Sequence, residues 1–368
     1  MTERGWAFAR NVILKALALL VVFLLVVLAF NPLSGLGKLS LYNFIFPGRL
    51  RFPFGEDPQI SYNLTINNLD VLFASHQVVQ PKAADEYRVF LIGDSSVWGI
   101  LLRPEQTLAG QLNAMDLHAC DGRRMVFYNL GYPTLSLDKD LTILKQAMQY
   151  QPDQVIWLVT LESFPGINPQ ASPLITPPAT NPNLPAFLDT LLTERRSIAD
   201  WYRLQLYGVM WAATGIDQNY PVDYTPAARD LANDPTLNGM AQTDLSSRLS
   251  FEPFETGISL LGKVPLWLVN EPILVSDGAN SNIRYNFYYP RWAYDQYRTL
   301  MAHEVQTHAS SAGFLPAFAQ TGTPGWHYLD AWNLVPENQF TNSAIHLTPA
   351  GESLLAQRIA QELETTCP

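Results

Sequence analysis

Arg88-Val89-Phe90-Leu91-Ile92-Gly93-Asp94-Ser95-Ser96-Val97-Trp98-Gly99 joins an apolar run of β-formers to a glycine turn, two small polar residues and a second apolar segment. A run this short, with no polar residue alternating through it, predicts a strand buried on both faces, as in a parallel sheet covered by helices. Outward from it the same pattern returns in Met125–Asn129 (MVFYN), Gln154–Thr160 (QVIWLVT), Val264–Asn270 (VPLWLVN) and Trp326–Asp330 (WHYLD). Between the first two runs Leu108, Leu112 and Met115 recur at helical spacing, and between the next two Leu137, Leu141, Leu144 and Met148 do the same. Thr348 then offers an N-cap and Pro349 a first helical position for a last helix whose apolar face is Leu355, Ile359 and Leu363. Alternation of this kind predicts an α/β fold: a doubly wound, flavodoxin-like, mostly parallel sheet of about five strands. Its reactive groups are expected just beyond the carboxyl ends of the strands.

Composition narrows the function. The 368 residues are 48% hydrophobic and only 15% charged, enough to bury a large core and incompatible with intrinsic disorder. A net charge of -10 and the lack of any Lys/Arg-rich run argue against nucleic acid as a partner. Cys120 and Cys367 match neither a metal cluster nor a disulfide framework; one bridge and two unpaired thiols both stay open. From Val12 to Phe30 Lys15 is the sole charge, and Ala16–Phe30 reads ALALLVVFLLVVLAF. That length nearly crosses bilayer hydrocarbon as a helix, with Lys15 able to snorkel. No small-x-small cleavage site follows, which favours an uncleaved anchor over a signal peptide. Arg4, Arg10 and Lys15 before the span balance Lys38, Arg49 and Arg51 after it, so charge leaves orientation open. A single N-terminal anchor ahead of a large domain predicts export of that domain. The expected organisation is a tail at 1–10, an anchor at 11–31, a linker and juxtamembrane region at 32–85, and one domain at 86–368 with an insertion at about 164–263.

Ser95 stands where a strand turns into a helix, so its hydroxyl can be presented beside helix-start N–H groups that favour a developing anion. Asn129-Leu130-Gly131 places a glycine, whose N–H can approach the same point, after the second strand. His346, just ahead of the last helix, suits a serine's base because its ordinary pKa lets it take and return a proton near neutrality. Taken singly, each of these has a plainer explanation: a helix cap, a turn glycine, a core histidine. His76, His118, His303, His308 and His327 lack such a setting and are read as ordinary surface or core residues.

In this order the segments resemble the SGNH (GDSL) hydrolase family, over roughly 88–160 and 333–363. The serine comes too early, and Val97 breaks Gly-x-Ser-x-Gly, for the α/β-hydrolase pattern. The resemblance implies Ser95 as nucleophile, Gly131 as an oxyanion donor and His346 as base, with no metal or organic cofactor. Two positions depart from it. Where the family carries Gly-x-Asn-Asp, this chain has Thr160-Leu161-Glu162-Ser163, so Glu162 occupies the amide donor's place in the oxyanion hole. A carboxylate there repels the charge unless burial keeps it protonated. Three positions before the base the family often has Asp, and here stands Ser343, preceded by Asn342. Asn342, Ser343, a backbone carbonyl and the more distant Asp330 are the candidates for orienting the imidazole.

The long insertion opens with a proline-rich run from Pro165 to Pro185 and suits a lid, pocket wall or contact surface. Within it Ser197–Ile216 reads as a helix whose Ile198, Trp201, Leu204 and Tyr207 face is taken as core packing ahead of lipid or sugar contact. Asn286–Trp292 is a second aromatic stretch, with Arg291, of the same ambiguity. The implied function is serine-dependent hydrolysis or transfer of acetyl-type or other acyl esters outside the cytoplasm, on a cell-envelope glycan or lipid. The alternative is an inactive, membrane-anchored binding protein of the same fold.

Overall fold

The computed structural model describes residues 3–30, 33–54, 66, 68–164, 185–214, 244–275, 291–311, 326–341 and 343–366. Strands β1 (Glu86–Ile92), β2 (Arg124–Asn129), β3 (Gln154–Val159), β4 (Leu266–Asn270) and β5 (Trp326–Asp330) form one sheet in the order β2-β1-β3-β4-β5. Every pairing is parallel. All residues of β1, β3 and β4 are buried, which is why these runs show no polar alternation. The helices are α1 (Glu3–Phe30), α2 (Leu33–Leu36), α3 (Leu41–Ile45), α4 (Leu69–Ala74), α5 (Ser95–Trp98), α6 (Leu108–Ala114), α7 (Leu137–Ala147), α8 (Ala186–Thr214), α9 (Glu252–Leu261), α10 (Arg291–Ser311) and α11 (Pro349–Thr366). Helix α6 packs with α11, and α7 with α9. Right-handed crossovers in this strand order put those two pairs on opposite faces of the sheet. The strand order reverses between β1 and β3, and the crevice of such a sheet opens at that point.

Helix α1 is long and apolar enough to cross a membrane. The segment after it, expected as a linker, enters the core: Arg49, Arg51 and Phe52 are all buried. Arg51 Nη1 donates to the carbonyls of Gly99 (3.0 Å) and Leu102 (2.9 Å), while its guanidinium lies 4.1 Å over the Trp98 ring. Trp98 Nε1 donates to Phe52 O at 2.8 Å. An arginine therefore closes the carbonyl end of the one-turn helix that Ser95 begins.

Helix α8 starts eleven residues before the expected Ser197, immediately after Pro185. On its expected inner face Leu204 is buried, Ile198 and Trp201 are half-buried, and the Tyr207 side chain lies outside the described residues. Cys120 is disulfide-bonded, which closes the question left open by spacing. The chain's other cysteine, Cys367, lies outside the described residues, as do the stretches 165–184 and 286–290.

Candidate active site

Ser95 is the first residue of α5, directly after the Gly93-Asp94 turn that ends β1. Asp94 caps the helix, its Oδ1 accepting from Ser96 N at 2.8 Å. The Ser95 N–H sits in the first turn, where a helix has no internal acceptor to offer it. His346 lies in the loop between β5 and α11. That loop is pinned by Leu274 N to Ala344 O (2.7 Å), Thr341 N to His346 O (2.8 Å) and Thr348 N to Gln339 O (2.8 Å). Across 251 residues, His346 Nε2 meets Ser95 Oγ at 2.8 Å, hydrogen-bonding distance for a nucleophile and its base. Burial pushes the imidazole down to about 3.

Gly131 follows β2 and abuts α5. A Cβ there would lie 2.5 Å from Trp98 N and 2.9 Å from Val97 C, so no side chain fits between the two backbones. Its N–H donates to Asn129 Oδ1 at 3.1 Å, and Asn129 Nδ2 donates to Val97 O at 2.8 Å. The glycine thus sits against the helix that Ser95 begins, with its N–H already engaged. Glu162 is buried in the 3-10 turn Leu161–Ser163 after β3, the strand beside β1.

The residues expected to orient His346 separate. Asp330 Oδ1 accepts from Asn270 Nδ2 (2.8 Å) and Oδ2 from Arg298 Nη2 (2.6 Å) at the edge strand, so the structure does not bring it to the imidazole. Ser343 Oγ accepts from the backbone N–H groups of Ile345 (3.2 Å) and His346 (3.1 Å). It shapes the turn that carries the base and leaves the ring alone. Asn342 lies outside the described residues.

Beneath the Ser95 turn lies a set of buried ionisable groups that the sequence reading missed. Ser96 Oγ donates to Glu271 Oε2, and Glu271 directly follows β4. Burial first, and the nearby Asp94 charge second, raise the Glu271 carboxyl well above its ordinary range. Burial raises the Asp94 carboxyl as well, opposed by the nearby Lys139 charge. Lys139 Nζ donates to Gly93 O (2.6 Å) and Tyr132 O (3.1 Å) and pairs with Asp140 Oδ1 at 2.5 Å, joining the nucleophile turn to the Gly131 loop. Desolvation holds Asp140 up at about 6, although Trp157 Nε1 donates to it at 3.1 Å. Applied to β4, the rule that reactive groups follow strand ends would have found Glu271. Nothing local marks Lys139, because its partners are carbonyls from two other loops.

Glu271 and Glu352 also line a cavity of about 10 Å³ with Ser96, Val97, Ile345 and Leu347. That is room for about one water molecule and too small for any organic substrate. Burial raises Glu352 to about 8. Its folded value exceeds the ordinary 4.5, so the stability it contributes is fully present below pH 4.5 and is lost as pH rises towards 8. Glu352→Gln should remove that loss. We expect little gain over wild type at pH 4 and a gain of a few kcal/mol at pH 8, at about 1.4 kcal/mol per pH unit across the window. Urea melts at the two pH values check this; an equal effect at both would mean that Glu352 titrates normally.

Comparison with known proteins adds little. No protein-family model matches the chain, and no curated protein matches it by sequence. A solved structure described as lipolytic and of the G-D-S-L family, from Desulfitobacterium hafniense DCB-2, is 12% identical with a TM-score of 0.33, covering 75% of this chain and 98% of its own. An α/β hydrolase enzyme from the metagenome of Lake Arreo, Spain, is 13% identical with a TM-score of 0.36, covering 77% and 96%. Neither likeness carries the fold assignment, which rests on the sheet order and its parallel pairings.

Proposed function

We propose that this protein is a membrane-anchored, serine-dependent hydrolase or acyltransferase acting on acyl esters, with Ser95 as nucleophile and His346 as base. The 2.8 Å contact between Ser95 Oγ and His346 Nε2 carries the reading. His346 Nε2 takes the Ser95 proton as Oγ attacks the ester carbonyl carbon, and the carbonyl electron pair moves onto oxygen. The Ser95 N–H, with the Gly131 N–H once Asn129 releases it, holds that oxyanion. Collapse of the intermediate expels the alcohol, which receives the proton from His346 and leaves an acyl-Ser95 ester. Water, or an acceptor alcohol on an envelope glycan or lipid, then attacks with the same base assistance and regenerates the serine. Glu162, buried at the next strand end, is the remaining oxyanion-side candidate in this scheme, where only a protonated carboxyl would help.

Anchoring by α1 and export of the body agree with the Cys120 disulfide, since such bonds persist in oxidising compartments. A second reading has its own support: the engaged Gly131 N–H and the depressed imidazole suit a domain of this fold that binds an acylated glycan or lipid without turning it over. A fluorophosphonate probe separates the two. We expect labelling of the full-length protein, its abolition in Ser95→Ala and a fall of at least about 10²-fold in His346→Ala. A folded wild-type protein that takes up no label would establish the binding domain instead.

A further inference from the structure

Beyond the single span, α8 and the α3 segment leave large apolar side chains uncovered. Phe44 is 89% exposed and Leu206 69%, and Leu41, Ile45, Leu192 and Met210 are also exposed. On α8, Leu188, Leu192 and Arg195 follow at three- and four-residue steps, and so, about two turns on, do Arg203, Leu206 and Met210, so all six share a stripe opposite buried Leu204. Apolar residues at both ends with arginines between them fit a layer where acyl chains meet headgroups, because an arginine there can snorkel outward.

Three hydrogen bonds hold α8 against the segment that follows α1, and ring contacts join it to α1 itself. Trp201 Nε1 donates to Leu36 O at 3.0 Å, Leu41 N donates to Gln205 Oε1 at 3.0 Å, and Gln205 Nε2 donates to Leu39 O at 2.6 Å. Phe23 of α1 stacks on Trp201 with ring centroids 5.8 Å apart and meets Tyr202 edge-on at 5.6 Å, while Val27, one turn on, is 1% exposed. Phe23 lies seven residues from the end of α1 at Phe30, roughly 10 Å along the axis. With Arg10 at the opposite headgroup level, the roughly 20 residues needed to cross the hydrocarbon end near Phe30. The α1–α8 contact then falls about as deep as an interfacial helix normally sits. Trp201 and Tyr202 are the residue types enriched at that level.

We infer that α3 and the exposed stripe of α8 form a collar embedded in the bilayer interface, so that the body rests on the membrane in one fixed orientation. This rests on reading α1 as a membrane span. The occupant is lipid: the exposed face continues directly from the helix that enters the membrane, and its cationic positions match anionic headgroups.

The test places p-benzoylphenylalanine in the full-length protein at Phe44, at Leu206 or, as a control, at exposed Glu364 in the last turns of α11. Each is reconstituted into phosphatidylcholine–phosphatidylglycerol vesicles, washed with alkaline carbonate and irradiated. Expected are lipid adducts at 44 and 206 at least about tenfold above those at 364 by intact mass. Covalent dimers at 44 or 206, or lipid adducts no more frequent than at 364, would overturn the collar while leaving α1 inserted. Release of the protein by carbonate would instead show that α1 does not span. Tryptophan emission of each variant reports that the body is folded, whether or not it takes up a fluorophosphonate.

Discussion

At pH 5.5 the fluorophosphonate labelling rate of the wild-type protein should stay within about twofold of its value at pH 7.5. A histidine with an ordinary value near 6.5 would be about nine-tenths protonated at pH 5.5, and the rate would fall roughly tenfold between those conditions. His346 is held at about 3 by burial, so its ring stays in the form that accepts the Ser95 proton throughout the interval. Folding needs separate watching. His346 and buried His76, also at about 3, contribute stability that is intact above pH 6.5 and is lost as pH falls towards 3. Glu352 works in the opposite sense from pH 8 down to 4.5 and offsets part of that loss. Tryptophan emission recorded with each rate separates unfolding from loss of the base. A tenfold fall with the fold intact would place the imidazole near its solution value and imply that a charged partner reaches it.

Gly131→Ala should cost at least about 10²-fold in labelling rate with only moderate loss of stability. The added methyl would press on Trp98 N and Val97 C, which are backbone atoms of the nucleophile helix and cannot rotate away. Relief requires α5 to slide or the loop after β2 to lift. Sliding moves Ser95 off His346; lifting withdraws the Gly131 N–H from the oxyanion side. Overpacking of this kind costs about 1–3 kcal/mol, or several degrees of Tm in a domain of this size. Rate measurements beside a thermal melt decide it. A variant that labels within about threefold of wild type would show that this backbone approach is not needed for attack.

The sheet was legible because burying a parallel strand on both faces strips it of polar alternation, and β1, β3 and β4 are such strands. His346 was legible through its neighbours: Thr348 and Pro349 announce a helix start, and Thr348 Oγ1 does accept from Gly351 N at 3.1 Å. Reading failed where a charge is satisfied from a distance. Asp330 looked available at a strand end, yet Arg298, thirty-two residues earlier, takes it. Glu271 was passed over because its partner Ser96 lies 175 positions away, and Lys139 because it serves carbonyls. The stripe on α8 escaped because its arginines make it look like an ordinary wet face until α1 is placed beside it.

Arg51 gives the chain an unexpected seam. Its side chain grips the far end of the turn that presents Ser95, while its backbone belongs to the stretch that follows the long apolar helix α1. Trimming the protein back to the predicted catalytic body would uncap that turn and strand the Trp98 ring without its cation. Solubility would come at the expense of the Ser95 alignment, so a useful version without α1 has to keep residues 49–54 and cut only on their N-terminal side.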